Sequence, residues 1–150
     1  MRPCAQSDTA RAGTFGLKPA ILENKVVYVD MNDCPAQLDI LAHVDVVPAG
    51  DGWSVTEPFV PLLRDGKLYG RGTCDDKGPA VAALYAMRAV RELNISLKYN
   101  VRLILGADEE TGCRDTDCYY SHFKEAPCSY SPDGEYPVIN LEKGGLGCYE

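Results

Sequence analysis

Short apolar runs separated by turn residues occupy much of the chain. Lys25 to Asp30 (KVVYVD) is rich in β-branched and aromatic residues, and Leu38 to Val47 (LDILAHVDVV) is almost wholly apolar. Asn100 to Gly106 (NVRLILG) is a third run, which ends just before acidic residues. Runs of this length predict strands. Because they lack regular polar alternation, we expect helices to cover both faces of the sheet.

Two further segments have the pattern of a hairpin and a helix. The dipeptide Asp65-Gly66 predicts a tight turn within a hairpin over Leu62 to Tyr69. Pro79 to Leu93 is rich in alanine and begins with a proline, which suits a first helical turn. We expect this helix to be well buried, because it carries only three charged residues.

The order of these elements predicts an α/β fold, with a mixed, mostly parallel sheet flanked by helices. Residues 1–13 are polar and rich in small side chains, so we expect them to be poorly ordered and loosely packed. We expect residues 14–150 to form one domain, or part of one.

Composition narrows the function classes. The formal net charge is −7, which disfavours nucleic acid and anionic membranes as partners. The sequence contains neither an apolar run of about 20 residues that could cross a bilayer nor an N-terminal secretory signal. The seven cysteines are irregularly spaced and include no CxxC pair, which favours reduced thiols in the cytosol. The sequence leaves the oligomeric state open.

Of the two histidines, His43 has the setting of a metal ligand. It lies near the end of a predicted strand, and residues two apart on a strand face the same side. Asp45 can therefore accept the second imidazole N–H and orient the other nitrogen towards a metal. The alternative is a core histidine whose hydrogen bonds are satisfied within the protein. His122 has the pattern of an ordinary residue on an amphipathic helix.

Three groups of acidic residues also follow predicted elements or turns. Asp75 and Asp76 precede the predicted helix, where capping is the alternative explanation. Asp108 to Glu110 follows a strand but is also compatible with a solvated loop, and Asp133 lies in a Pro/Gly-flanked turn. Open α/β sheets place active sites at strand ends. A mixed His/Asp/Glu set suits Zn²⁺, or Mn²⁺ and Co²⁺, and thus predicts a metal site without naming a reaction.

Four ordered motifs resemble the M20 metallopeptidases, and the likeness covers about Thr14 to Gly144. The last motif is similar to the PepV-type (Xaa-His/β-Ala) dipeptidase branch. The motifs are HVDVVPAGDGW (His43 to Trp53), YGRGTCDDKGP (Tyr69 to Pro79), DEETGC (Asp108 to Cys113) and SPDGEYPVINLEKG (Ser131 to Gly144).

The resemblance implies a zinc-peptidase-like catalytic domain that holds two divalent cations, with zinc as the first expectation and manganese or cobalt as alternatives. His43 and Asp133 are implied to bind one ion and Glu110 the other. Asp75 is implied to bridge both, with a cis peptide bond before Asp76.

Two further residues are implied to take part without binding metal. Asp45 would orient His43, and Glu109 would act as the general base that takes a proton from water and passes it to the departing amine. The implied activity is hydrolysis of dipeptides by a water molecule that two cations activate. The alternatives are deacylation or desuccinylation of N-acyl amino acids, carboxypeptidase action, or a truncated non-catalytic domain that binds metal or a partner.

The resemblance also implies parts that this sequence does not supply. Family members have a further metal-binding histidine and an inserted lid domain, whereas only His43 and His122 occur here. We therefore expect a partial sequence, which binds metal weakly and is inactive by itself.

Overall fold

The computed structural model describes residues 3–134, in which a five-stranded sheet organises the fold. The strands of that sheet are β1 (Lys18–Leu22), β2 (Val26–Asp30), β3 (Ala36–His43), β6 (Asn100–Gly106) and β7 (Cys128–Tyr130). A separate hairpin pairs β4 (Leu62–Arg64) with β5 (Lys67–Tyr69). The helices are α1 (Pro3–Thr14), α2 (Lys77–Glu92) and α3 (Arg114–His122), with a 3-10 turn at Glu109–Thr111.

The strand order is β1-β2-β6-β3-β7. Strand β3 runs parallel to β6 and β7, whereas β1 with β2 and β2 with β6 are antiparallel. The predicted mixed sheet is therefore confirmed, although the four pairings within this five-stranded sheet divide equally between parallel and antiparallel.

Helices cover both faces of the sheet, as the apolar runs predicted. Val27 and Val29 of β2 join one buried cluster, to which α1 and α2 contribute, and Leu103 and Leu105 of β6 extend it. Val26 and Tyr28 of the same strand face the opposite side. The cluster there is built from Val26, Ile104 and Tyr119, with Tyr28, Leu41 and Phe123 against it.

Helix α2 is amphipathic rather than well buried, so that expectation was wrong. Only Ala80, Leu84 and Met87 are buried, at the spacing of one helical stripe. Val81 is 46% exposed and Tyr85 is 45% exposed, because the helix lies on the sheet with only one side against it. Its alanine-rich composition gave little contrast between the two sides.

The N-terminal segment differs from the expectation of loose packing. Pro3–Thr14 forms a helix, and Ala12 near its end is fully buried. Gly16 lies just beyond the end of the helix, and its φ of +70°, which suits glycine, lets the Leu17 amide donate to the Ala12 carbonyl at 3.2 Å.

The other predicted elements are present with small changes. The hairpin turns at Asp65 and Gly66, which have φ angles of 53° and 73°, and β6 has the predicted bounds. Strand β3 ends at His43 rather than Val47, because its neighbour β6 ends at Gly106, the residue opposite His43. The parallel strands therefore finish together, and the chain beyond each is free to form a site.

Candidate metal centre

The ends of β3 and β6 bring His43 next to the acidic loop that begins at Ala107. His43 is 2% exposed and pairs in register with Gly106. A Cβ on Gly106 would lie 2.7 Å from Oδ2 of Asp115, so glycine allows that carboxylate to approach the strand end. There Asp115 accepts hydrogen bonds from the amides of Ala107 and Asp108, the second at 2.9 Å. The buried Asp115 carboxylate of α3 thus fixes the start of the acidic loop through its backbone amides.

Three carboxylates converge on the Nε2 atom of His43. It lies 2.8 Å from Oδ1 of Asp75, 3.4 Å from Oδ2 of Asp133 and 3.9 Å from Oε2 of Glu109. One ring nitrogen can donate at most one proton, whereas a divalent cation can bind several such donors together. The donor set therefore fits a metal ion.

Asp45 connects the imidazole to the acidic loop. Its side chain is buried, and Oδ1 lies 3.3 Å from Nδ1 of His43, although this contact does not meet the criteria for a hydrogen bond. The same carboxylate accepts the amides of Glu109 at 3.3 Å and Glu110 at 3.2 Å. Asp45 therefore positions both acids of the loop as well as facing the histidine.

The four predicted ligands and the predicted base Glu109 fall into two overlapping groups that share His43. One joins His43 to Asp75 and Asp133, and the other joins it to Glu109 and Glu110; within each group the donor atoms lie within 4.8 Å of one another. Oε1 of Glu110 also accepts the Val47 amide at 3.2 Å. Among the described residues, no such group joins Asp75 to Glu110, so a bridging position for Asp75 stays a prediction.

The electrostatics show an excess of negative charge at this site. Burial lowers the pKa of His43, but the attraction of Glu109, Asp133, Asp45 and Asp75 outweighs it and raises the pKa overall. Burial also raises the pKa of Glu109, and repulsion from Asp133 adds to this against the opposing effect of His43. Neighbouring carboxylates contribute to both pKa shifts, and a bound cation would offset their negative charge.

Asp76 takes a structural role that the sequence did not reveal. The peptide bond between Asp75 and Asp76 is cis, as the resemblance implied. The Asp76 side chain is fully buried, and its Oδ2 accepts the backbone amide of His43 at 3.1 Å. Burial raises the pKa of Asp76 to about 6, although the hydrogen bond from His43 opposes the shift. This contact joins the segment that carries Asp75 to the end of β3.

A cleft of about 380 Å³ opens beyond Val47, between residues 49–56 and 69–71. Trp53 donates its indole N–H to the Ala49 carbonyl at 2.7 Å, and Arg71 donates to the same oxygen at 3.1 Å. The Arg71 guanidinium also lies 5.4 Å from the centre of the Trp53 ring. Both residues belong to quoted motifs, but sequence reasoning assigned neither of them a role.

Together these features define an α/β protein with a candidate metal centre, lined by carboxylates and a histidine, at the carboxyl ends of parallel strands. Comparison with family models gives its family: residues 40–140 match the model of peptidase family M20/M25/M40, and the chain belongs to that family. Within residues 3–134, the helices include none with the length and apolar character needed to span a bilayer.

Two curated relatives of this chain are bacterial proteins. The chain is 45% identical over 107 residues to "Putative dipeptidase YtjP" of Bacillus subtilis (strain 168), a match that covers 71% of this chain and 23% of that protein. It is 46% identical over 105 residues to the similarly named SSP1012 of Staphylococcus saprophyticus, covering 70% and 22%. The chain thus spans about a quarter of the length of these relatives.

Solved structures show the same fold. Human carnosine dipeptidase 1 superposes with a TM-score of 0.73 and 26% identity, covering 87% of this chain and 32% of that one. The M20 family metallo-carboxypeptidase Sso-CP2 from Sulfolobus solfataricus gives a TM-score of 0.72 and 25% identity, covering 85% and 31%.

Proposed function

We propose that this chain forms the metal-binding part of a cytosolic dipeptidase of the PepV-type branch of family M20. The observation that carries the proposal is the convergence of Asp75, Asp133 and Glu109 on the Nε2 atom of buried His43. Dipeptidase names among the relatives at 44–46% identity support the substrate class. Cys34, Cys74, Cys118 and Cys128 form no disulfide among the described residues, which supports a reducing compartment.

In this proposal His43 and Asp133 would hold one cation and Glu110 a second, and Asp75 would serve both. Zinc suits one imidazole with several carboxylates, and manganese or cobalt suit the same set. When bound, two divalent cations would polarise the scissile carbonyl and make a water molecule more acidic.

The chain's own side chains supply the proton chemistry. Glu109 is the proposed general base, which takes a proton from the attacking water and delivers it to the departing amine. Its side chain is 41% exposed, so it can reach water, while burial raises its pKa and so makes it a better proton acceptor. Asp45 holds the Glu109 amide, which keeps this carboxylate beside His43.

Carboxypeptidase action is the second candidate, because the similar Sso-CP2 structure is titled a metallo-carboxypeptidase. The groups of candidate metal ligands in this chain do not distinguish dipeptidase from carboxypeptidase activity, since both activities need the same hydrolytic centre.

The test uses the complete reading frame that carries this chain, together with the 150-residue chain, in assays with Zn²⁺, Mn²⁺ or Co²⁺. Dipeptides, N-acyl amino acids and longer peptides are offered in parallel. Hydrolysis of dipeptides alone supports the first proposal, and release of C-terminal residues from longer peptides would replace it with the second.

Glu109→Gln tests the base directly in the same assay. We expect it to lower the rate of hydrolysis by about 10²–10⁴-fold while metal content is unchanged. Glu125→Gln, at an exposed glutamate beyond α3, is the matched control and should leave the rate unchanged. A Glu109→Gln protein that keeps both its metal and its rate would disprove the role of Glu109.

A further inference from the structure

A second group of potential ligands lies on the surface formed by α3 and the turn between β1 and β2. Cys118 and His122 are four residues apart near the end of α3, so they lie on the same side of the helix. Glu23 faces them from the turn between β1 and β2, 95 residues away from Cys118 in sequence. The sulfur, the ring nitrogen and the carboxylate oxygen lie within 4.8 Å of one another.

The distances from Glu23 to the other two side chains are close to those between ligands of a tetrahedral zinc ion. Cys118 Sγ lies 3.4 Å from Oε2 of Glu23, and His122 Nε2 lies 3.3 Å from Oε1 of the same carboxylate. Ligands at about 2.0–2.3 Å from a tetrahedral ion are roughly 3.3–3.7 Å apart. These three side chains need little rearrangement to surround an ion.

The ring of His122 is already oriented for such a role. Its Nδ1 lies 3.0 Å from the carbonyl oxygen of Cys118, which can only accept a hydrogen bond. A proton on Nδ1 can be donated to this carbonyl, and Nε2, the nitrogen that faces Glu23, would then be available to bind an ion. A backbone carbonyl on the second ring nitrogen is a common support for metal-binding histidines.

Other groups balance the charge of Glu23 when metal is absent. Lys25 donates to Oε2 at 3.2 Å, and the Cys118 thiol donates to the same oxygen. Burial and the Glu23 carboxylate raise the pKa of Cys118, so the thiol is protonated without a cation. A metal ion would displace the thiol proton to solvent, and the exposed Lys25 ammonium can move into water.

We propose that Glu23, Cys118 and His122 form a zinc site that shares no residue with the His43 centre. The ion would bond to one thiolate sulfur, one imidazole nitrogen and one carboxylate oxygen, and its fourth position would face solvent because Glu23 and His122 are nearly half exposed. Such a site would tie the end of α3 to the turn between β1 and β2.

Cobalt(II) distinguishes this site from the His43 centre, because only a cysteine ligand gives sulfur-to-cobalt charge-transfer absorption in the near ultraviolet. The full chain, kept reduced with a phosphine, is titrated with Co²⁺. We expect the band in the wild type, its loss in Cys118→Ser, and its retention in Cys34→Ser and Cys74→Ser. A band that persists in Cys118→Ser, or is lost in Cys74→Ser instead, would overturn the proposal, as would a wild type without the band.

Zinc affinity provides an independent readout from the two other ligands. In competition titrations with a chromophoric chelator, we expect Glu23→Gln and His122→Gln each to weaken the binding of one zinc ion by at least about tenfold. Lys25→Gln, beside the same carboxylate, removes a competing cation and should not weaken it. Thermal melting without metal checks that each variant is folded, and an unchanged affinity in folded His122→Gln would contradict the assignment.

Discussion

At the residue scale, the candidate centre depends on side chains that position the ligands as much as on the ligands themselves. Asp45 holds the amides of Glu109 and Glu110, and Asp115 holds those of Ala107 and Asp108 just before them. Both carboxylates are buried and both accept backbone donors, so their loss would leave unpaired amides inside the protein. The acidic loop is therefore fixed from two sides.

Asp115→Asn tests this support. An amide can replace only part of a carboxylate's accepting capacity, and its NH₂ group would face amide donors. We expect the free energy of unfolding to fall by about 1–3 kcal/mol in urea titrations, and zinc affinity at the His43 centre to fall as well. Asp117→Asn, at an exposed position of the same helix, is the control, and an equal effect there would show that Asp115 has no special role.

Sequence reasoning predicted the candidate ligands and a supporting role for Asp45, but not the supports from Asp76 and Asp115. His43, Asp75, Glu110 and Asp133 stand in motifs whose residue types suit metal binding. Asp115 carries no such signal, since its function is to accept backbone amides, and only the fold shows which amides lie nearby. The sequence feature related to Asp115 is the glycine at position 106, at a strand end, where a side chain would collide with the Asp115 carboxylate.

At the element scale, the start of α2 is packed tightly against the segment that carries Asp75 and Asp76. A Cβ on Gly78 would overlap the carbonyl oxygen of Thr73, a backbone atom that cannot move independently. Since Asp76 also accepts the His43 amide, a shift of this segment would disturb the contact between α2 and β3. Position 78 therefore requires glycine because the Thr73 carbonyl lies so close to it, and not because of an unusual φ angle.

Gly78→Ala should lower the free energy of unfolding by about 1–3 kcal/mol, as overpacking does elsewhere. It should also weaken metal binding at the His43 centre, measured by calorimetry with Zn²⁺. Gly13→Ala provides the contrast, because Gly13 is exposed in α1 with nothing near its missing Cβ. Alanine there should be neutral or stabilise by up to about 1 kcal/mol. Equal behaviour of the two variants would exclude the steric explanation.

Strands β2 and β6 are joined by a partly buried ion pair. Arg102 donates to both oxygens of Asp30, at 2.6 and 2.7 Å, and its guanidinium lies 4.5 Å from the centre of the Tyr28 ring. Both charged side chains are about 15% exposed, so removing one leaves the other poorly solvated.

Arg102→Ala is therefore expected to cost about 3–5 kcal/mol in the free energy of unfolding. Arg64→Ala serves as the control, because its contact with Asp65 is 3.9 Å long and solvent exposed, and it should change stability little. Chemical denaturation of both variants measures the difference. A small cost at Arg102 would show that the aromatic packing, not the ion pair, holds this face.

Element boundaries were predictable where the apolar pattern and the sheet agree. The bounds of β6 match because the run ends in Gly106 before a polar loop. The predicted β3 was too long, since Val44, Val46 and Val47 continue the apolar pattern although their partner strand has ended. Exposure of Val81 and Tyr85 on α2 was not predictable, because alanine-rich sequence does not mark which side meets the sheet.

At the scale of the whole molecule, the charged groups behind the formal net charge of −7 are unevenly distributed. Several carboxylates lie around the one buried imidazole of His43. Their mutual repulsion is a cost of the folded state that a bound cation would relieve. The stability of the chain should therefore depend on divalent metal, and the two proposed sites make separable contributions.

Thermal melting in the Cys118→Ser background isolates the His43 centre from the proposed surface site. Zinc at 100 times its dissociation constant stabilises a folded state by about 2.7 kcal/mol. For a chain of 150 residues, this corresponds to a rise in melting temperature of roughly 5–10 °C, reversed by a chelator. Adding His43→Asn should abolish most of the rise, whereas adding His122→Asn should not.

Sodium chloride at matched ionic strength controls for screening, since general screening would raise the melting temperature of all variants alike. A rise that survives in His43→Asn would place the stabilising ion elsewhere, and the convergence of carboxylates on His43 would then serve the fold rather than a metal.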